Sequence, residues 1–281
     1  MKKPVFVFSG LLLFLLLFSF IFRSYFQFKK SIFNFLGRTT FVLVDKKNNL
    51  WVFSLEGDSG SILSLPENLK VMATRGFGEY ELGKVFPLGE LEGKGSVLLR
   101  ETLQEVLHAP VFGFFQDSSV SSFTPNLISK VVQNAIFKRS RSDLSRDDLL
   151  FLYLKTRRLD KTKVKMISLE SDLGEVFKDR KIREESLAFE VLNATDHLGF
   201  AQASASLLDR CGGRIVRISD ASQKQPKCEI LASSSALSSY TVNWLKLIYP
   251  CEIKELINDT GRVDISLILG EEYWKKWSEK W

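Results

Sequence analysis

The chain has 281 residues, of which 45 % are hydrophobic, which is enough for one large or two small domains with buried cores. The formal net charge is +6, but residues 1–38 hold six of the basic side chains and no acidic one. The other 33 basic residues balance 33 acidic residues, so no basic face for nucleic acid is expected on the folded part.

The first predicted element is a transmembrane helix over residues 5–22. Its eighteen residues are apolar, Ser or Gly, and as a helix they extend about 27 Å, close to the thickness of a bilayer core. No small-x-small cleavage site follows, which favours an uncleaved anchor. The membrane is therefore an expected partner, through residues 5–22.

The orientation of this anchor is ambiguous from charge alone. Two lysines precede it and four basic residues follow it, a distribution that would place the C-terminal side in the cytoplasm. Residues 24–36 are aromatic and cationic, as expected of a segment on a membrane surface. We therefore assign residues 1–38 to a membrane anchor with its juxtamembrane segment.

Residues 39–170 are predicted to form a mixed α/β domain. Short β-rich runs begin it and suggest a three-stranded meander that ends at Pro66. Amphipathic helices are predicted over residues 96–107, 125–137 and 149–159, the last of them capped by Ser145. Strands are predicted at residues 111–115 and 163–169.

Residues 171–186 contain a mixed-charge run and are predicted to be a solvated linker. Residues 187–281 then follow the order β-α-β-β-α-β-β, a small C-terminal domain. The fold class is therefore α/β (α+β). The tail after Tyr273 spaces its aromatic residues as one stripe of a helix, suited to docking on the protein or on a membrane surface.

Cys211, Cys228 and Cys251 all lie in the C-terminal domain, without C-x-x-C spacing. The sequence leaves two interpretations open, one disulfide with one free thiol or three buried thiols. With only two histidines in the chain, His108 and His197, no metal-site spacing is present. No resident cofactor is expected.

Three motifs point to chemistry only weakly. Residues 78–85 nearly match a phosphate-binding loop, but Val85 replaces the metal-binding hydroxyl and Pro87 opposes a helix that starts at the lysine. Asn193-Ala-Thr195 fits a glycosylation triplet but lies where Asn serves as a turn residue. His197, in the same turn, has no nucleophile or carboxylate at a recognisable spacing. We assign no catalytic, cofactor-binding or metal-binding residue.

The C-terminal domain resembles the LytR C-terminal domain of bacterial envelope proteins. The segments that carry the resemblance are Val191–Ala194, Leu198–Ala201, Leu207–Gly212 and Asp264–Gly270. Residues 39–170 more distantly resemble a shortened LytR-CpsA-Psr catalytic domain. The resemblance implies a glycopolymer transfer from a polyprenyl-pyrophosphate lipid to the cell wall, and domains outside the cytoplasmic membrane.

The chain departs from this family where the lipid pyrophosphate would bind. Glu67 and Asn68 follow Pro66, where the family has Arg and Asp, so the local charge is reversed. We therefore expect a single-pass envelope protein that binds or scaffolds without catalysis, with an envelope protein or a cell-wall glycopolymer as partner. The alternative is a divergent phosphotransferase that needs Mg²⁺ and holds its anion with Arg139, Arg141 and Arg146.

Overall fold

A computed structural model describes residues 31–120, 127–171, 173–256 and 262–281. The predicted anchor over residues 5–22 lies outside these ranges. None of the helices within them is long and apolar enough to cross a bilayer.

The N-terminal unit, residues 38–168, is built on a six-stranded sheet. Its strands are β1 (Arg38–Val44), β2 (Leu50–Glu56), β3 (Ser59–Leu65), β6 (Gly113–Gln116), β7 (Arg141–Ser142) and β8 (Val164–Ser168). The order across the sheet is β7-β6-β1-β2-β3-β8, with β1, β2 and β3 antiparallel. The predicted meander is confirmed, and β6 and β8 extend it by parallel pairing with β1 and β3.

Both faces of this sheet are buried, because apolar residues occupy successive positions of β1 and β2. Val42 and Val52 face one helical layer, whereas Phe41 and Phe53 face the other and stack at 4.7 Å. A short helix, α1 (Ile32–Phe35), precedes β1. The helices of the two layers are α2 (Leu82–Glu90) and α3 (Gly95–Leu107) on the first face, and α4 (Leu127–Ile136) and α5 (Arg146–Arg157) on the second. Ser145 caps α5 as predicted, accepting a hydrogen bond from the backbone N–H of Asp148 at 3.1 Å.

The sequence did not predict the hairpin of β4 (Lys70–Ala73) and β5 (Gly78–Glu81), or the α2 helix that follows it. Pro87 is expected to oppose a helix that starts at Lys84, but α2 begins earlier, at Leu82, and runs through Pro87. A proline removes one hydrogen bond inside a helix. Burial of Leu82, Val85 and Phe86 against the sheet offsets that loss.

The C-terminal unit, residues 188–281, has a five-stranded sheet flanked by helices. Its elements are β9 (Ala188–Asn193), α7 (Phe200–Arg210), β10 (Arg214–Asp220), β11 (Glu229–Ala232), α8 (Tyr240–Ile248), β12 (Glu252–Glu255), β13 (Ile265–Leu269) and α9 (Glu271–Ser278). The predicted β-α-β-β-α-β-β order and the helical tail are confirmed. The strand order is β10-β9-β13-β11-β12, in which β11 and β13 pair antiparallel and the other neighbours pair parallel.

The structure resolves the open question about the three cysteines. Cys228 and Cys251 form a disulfide between β11 and the turn after α8, with Cα atoms 4.8 Å apart. Cys211 is a buried free thiol at the end of α7, and burial raises its pKa. The disulfide closes a short loop around α8, a crosslink that restricts the unfolded chain.

The charged segment before the C-terminal unit is not a solvated linker. It contains helix α6 (Arg180–Glu185), and Phe177, Asp179 and Ile182 are each at most 2 % exposed. Arg180 and Glu184 remain exposed, but Asp179 and Glu185 reach the neighbouring elements. Glu185, for example, accepts hydrogen bonds from the backbone N–H groups of Tyr240 and Thr241 at 2.7 and 2.8 Å, and so caps α8.

Asp179 is the centre of this junction. Its Oδ2 accepts hydrogen bonds from the backbone N–H of Arg38 at 2.9 Å and from the Tyr240 hydroxyl at 2.6 Å. Its own N–H donates to the carbonyl of Cys211 at 2.9 Å. The hydroxyl oxygen of Tyr240 also accepts from the backbone N–H of Gly37 at 2.9 Å. Asp179 therefore ties the first strand of the N-terminal unit to two helices of the C-terminal unit, through its carboxylate to Tyr240 on α8 and through its backbone N–H to the end of α7.

Lys155, on α5, fixes the start of β1 from the opposite side. Its Nζ donates to Thr39 Oγ1 at 2.6 Å and to the carbonyls of Leu36 and Gly37 at 3.3 and 3.4 Å. All three acceptors are neutral. Burial of the ammonium group therefore dominates, and it lowers the pKa of Lys155 to about 8.

Lys155 should make the protein more stable at alkaline pH. Between pH 8 and 10 the folded state loses this proton while the unfolded state, with a normal lysine pKa, keeps it, so the free energy of unfolding rises with pH. Between pH 7.5 and 10, the free energy of unfolding of the parent, measured with urea, should rise by about 2 kcal/mol more than that of Lys155→Met. Lys130→Met, at an exposed position, is the control. An equal pH dependence in the parent and Lys155→Met would contradict the burial of this ammonium group.

Candidate functional site

A mainly apolar cavity of about 610 Å³ lies where the two units meet. The N-terminal unit contributes the β4–β5 hairpin and the end of α3. The C-terminal unit contributes the turn before α7, the first half of that helix, and α9. The side chains that form its walls and mouth include Met72, Glu105, Leu198, Phe200, Ala203, Tyr249, Tyr273, Trp274 and Trp277. A volume of a few hundred cubic ångströms is typical of small-ligand sites.

The turn before α7 is shaped by Asn193. Its Oδ1 accepts from the backbone N–H and the hydroxyl of Thr195 at 3.1 and 2.7 Å, and its Nδ2 donates to the His197 carbonyl at 3.0 Å. These bonds make the predicted turn, and they occupy the amide that a glycan would need. Gly199 then starts α7 at φ +79°, a conformation that favours glycine.

Leu198 is left at the tip of this turn, 97 % exposed. Met72, across the cavity mouth on β4, is 66 % exposed. The two units thus each present one large apolar side chain at the same opening. Single exposed apolar residues are common, but two that flank an apolar cavity form part of its surface.

Aromatic rings form the inner wall. Phe200 stacks on Tyr273 at 5.7 Å and meets Trp274 edge-on at 5.1 Å, while Tyr273 contacts Tyr249 at 5.3 Å and Trp277 at 6.0 Å. Ring contacts of this kind fix both the position and the tilt of each side chain. The wall is therefore rigid before any ligand arrives.

The C-terminal tail closes the cavity against the N-terminal unit. Arg75 donates its backbone N–H to the Trp277 carbonyl at 2.7 Å, and its guanidinium binds both carboxylate oxygens of Glu101 at 2.7 Å. The ring of Trp281 contacts the cationic groups of Arg75 and Lys94, at 4.8 and 4.6 Å. Of the two predicted roles of the tail, the structure shows docking on the protein.

Gly76 allows this close approach. A Cβ atom added to it would lie 2.7 Å from the Ser278 carbonyl oxygen, and its φ of +65° is unfavourable for other residues. The glycine is therefore needed twice, for the hairpin turn and for the contact with the tail.

The cavity carries little polar chemistry. Glu105 is the one charged side chain on the described part of its lining, and burial raises the pKa of its carboxyl group. Gln104, Thr74 and Ser204 add neutral hydrogen-bonding groups. The described lining has no Cys, His, Lys or Arg, so it has neither an activated nucleophile nor a cationic anion site. It can bind an apolar group, orient it and exclude water.

His197 has a carboxylate partner that sequence spacing did not reveal. Its Nε2 lies 2.9 Å from Oε1 of Glu271, and its ring stacks on Trp274 at 4.1 Å. The pair braces the outside of the aromatic wall. Glu271 is 74 positions further along the chain, so no local pattern would indicate it.

Only two of the three predicted arginines are brought together. Arg139 and Arg141 line a surface groove beside Asp45, with Lys46 and Lys138, whereas Arg146 begins α5 outside that groove. Arg141 is already engaged, since both of its terminal nitrogens bind the carboxylate of Glu90.

Glu67 and Asn68, where the chain departs from the family that it resembles, lie in an exposed turn after β3. The carbonyl of Glu67 accepts a hydrogen bond from the N–H of Gly83 at 2.8 Å, and the residue is exposed. Across residues 31–120, 127–171, 173–256 and 262–281, no three His, Cys, Asp or Glu side chains cluster as metal ligands.

No protein-family model matches the chain, and no curated protein does. Solved structures match it weakly. TagT of B. subtilis is 14 % identical with a TM-score of 0.36, over 47 % of this chain and 78 % of that one. TagV of B. subtilis is 9 % identical with a TM-score of 0.37, over 48 % and 85 %. TagU of B. subtilis is 11 % identical with a TM-score of 0.26, over 78 % and 99 %.

These three proteins belong to the LytR-CpsA-Psr family, which the sequence also resembles. Their TM-scores all lie below 0.5, so the structural similarity carries no argument about this chain's fold or function. The family assignment, and that of the LytR C-terminal domain in particular, stays a prediction from the sequence.

Proposed function

We propose that this protein is a membrane-anchored component of the bacterial envelope that binds the apolar chain of an amphiphile, without catalysis, in the cavity between its two units. One observation carries the proposal: a cavity walled by five aromatic side chains, with exposed Met72 and Leu198 at its mouth. Residues 5–22 supply the anchor, and the domains lie outside the cytoplasmic membrane.

The charge of the site supports an uncharged apolar ligand. Glu105 would repel a phosphate, and no described basic side chain on the lining would offset it. An alkyl or isoprenoid chain would instead gain free energy in proportion to the apolar area it buries, about 25 cal/mol per Å². Glu105 and Gln104 are placed to receive a hydroxyl at the end of such a chain.

Filling the cavity should weaken binding. Ala203 lines the cavity, while Gln202, on the same helix, is exposed. We expect Ala203→Trp to lower photolabelling of the full chain by a diazirine-bearing decyl alcohol about tenfold, because the indole occupies the ligand's volume. Gln202→Trp should label as the parent does. Labelled peptides should map to residues 70–81, 198–207 and 271–278.

Two outcomes would contradict the proposal. One is equal labelling of the parent and Ala203→Trp, provided that Ala203→Trp and Gln202→Trp have the same thermal unfolding midpoint as the parent. The other is labelling confined to residues 1–30, since that would show that the probe enters only the predicted anchor.

A divergent phosphotransferase is the second candidate, and one observation favours it. The groove beside Asp45 holds four basic side chains, Lys46, Lys138, Arg139 and Arg141. Against it, the ion pair of Arg141 with Glu90 reduces the charge that a pyrophosphate would meet.

The two candidates predict different results in an activity assay. With Mg²⁺ and a polyprenyl-pyrophosphate glycolipid, we expect the full chain to release no lipid pyrophosphate or phosphate above the level without protein. Release that is lost in Arg139→Gln and Arg141→Gln, but kept in Arg217→Gln outside the groove, would establish the phosphotransferase and contradict the non-catalytic role.

A further inference from the structure

A second cleft, of about 710 Å³, lies at the start of the described chain. It is formed by the segment before β1, the β2–β3 hairpin, the second half of α5 and the beginning of α6. Its lining combines apolar side chains with four basic ones and two acidic ones. The basic side chains are Lys155, Arg158, Arg180 and Lys181.

Each of the two acidic side chains already has partners. Asp58 pairs with Lys163, an ion pair in which the lysine pKa is raised mainly by the hydrogen bond to Asp58. Glu56 binds Arg38 at 2.8 Å and the backbone N–H of Arg180 at 2.8 Å. Neither carboxylate is left to balance the lysines and arginines of the lining.

The basic side chains, by contrast, lack strong carboxylate partners. Lys155 has only neutral oxygens as acceptors, and Lys181 contacts the Phe35 carbonyl at 3.2 Å and the Tyr240 ring at 4.7 Å. Within the described ranges no carboxylate lies within ion-pair distance of Arg158. Arg180 pairs with Glu184 at 3.4 Å on the exposed surface, a weak interaction. The cleft is therefore electropositive.

Its apolar side adjoins these cations. Phe33 is buried in the floor, Phe151 is half-buried and Leu154 is 47 % exposed on α5. Leu150, one turn earlier on α5, is 41 % exposed. A headgroup with negative charge and an attached hydrocarbon chain would satisfy both halves of this surface at once.

We propose that this cleft binds the phosphodiester headgroup of an anionic membrane phospholipid, with Arg158, Arg180 and Lys181 around the phosphate and Leu154 against the acyl chain. The position of the cleft favours a membrane lipid over a free phosphate as the ligand. The described chain starts at Ser31, beside Phe33 and Leu36, and residues 5–22 of the sequence form its predicted anchor. In assigning a membrane lipid, the inference rests on the anchoring part of the proposed function.

Native mass spectrometry of the full chain tests the inference. The protein, in a neutral detergent, is mixed with equal amounts of phosphatidylglycerol and phosphatidylcholine. We expect phosphatidylglycerol to be retained preferentially, and Arg158→Gln with Arg180→Gln to reduce its retention at least about fivefold. Both side chains are exposed, so the double variant should fold like the parent.

The matched control is Lys70→Gln with Lys84→Gln, which removes two exposed charges outside the cleft and should retain the lipid as the parent does. Equal retention of the two lipids by the parent, or undiminished retention by the cleft variant, would overturn the proposal. If millimolar inorganic phosphate displaces the bound lipid as effectively as added phosphatidylglycerol does, the assignment of the ligand to a membrane lipid would be overturned. Ala203→Trp, which fills the cavity between the two units, should retain phosphatidylglycerol as the parent does. A loss of binding in that cavity is therefore distinguished from a loss of lipid binding in the cleft.

Discussion

The structure depends on the buried carboxylate of Asp179. Hydrogen bonds to a charged group contribute about 1.5–3 kcal/mol each, and Asp179 accepts one from the start of β1 and one from Tyr240 on α8. Its backbone N–H adds a third link, to Cys211 at the end of α7. Because these partners belong to different units, the segment that joins the units in sequence also fixes their relative position. A continuous core runs across the junction, from Phe33 to Tyr249.

The cavity is a consequence of that fixed position. Neither unit encloses it alone, since one supplies the β4–β5 hairpin and α3 and the other supplies α7 and the aromatic rings of α9. The tail then returns to the N-terminal unit through the Arg75–Trp277 backbone hydrogen bond and the packing of Trp281. The contacts of Asp179 and those of the tail thus fix the relative position of the two walls of the cavity independently of each other. A site of this kind is stable without ligand, so binding costs little reordering.

The sequence predicted the elements with strong periodicity and missed those decided by tertiary contacts. The meander, the capped helix after Ser145 and the order of the C-terminal unit follow from local patterns. The helix through Pro87 does not, because its stability comes from burial against the sheet. The charged residues 178–185 suggested a solvated linker, since composition does not reveal that Asp179 and Glu185 find partners far away in sequence.

The candidate site was predicted only in part. The turn at Asn193 and the aromatic stripe of the tail were recognised, but their meeting across a cavity required the three-dimensional arrangement of both units. The pairing of Cys228 with Cys251 and of His197 with Glu271 likewise depends on contacts between distant segments.

Hydrogen exchange of the full chain tests the central claim, that the docked units form a preformed apolar site. The Arg75 amide, which donates to the Trp277 carbonyl, should exchange slowly, and more slowly still with decyl alcohol. Exchange of this amide as fast as in an undocked hairpin, with or without the alcohol, would contradict the claim.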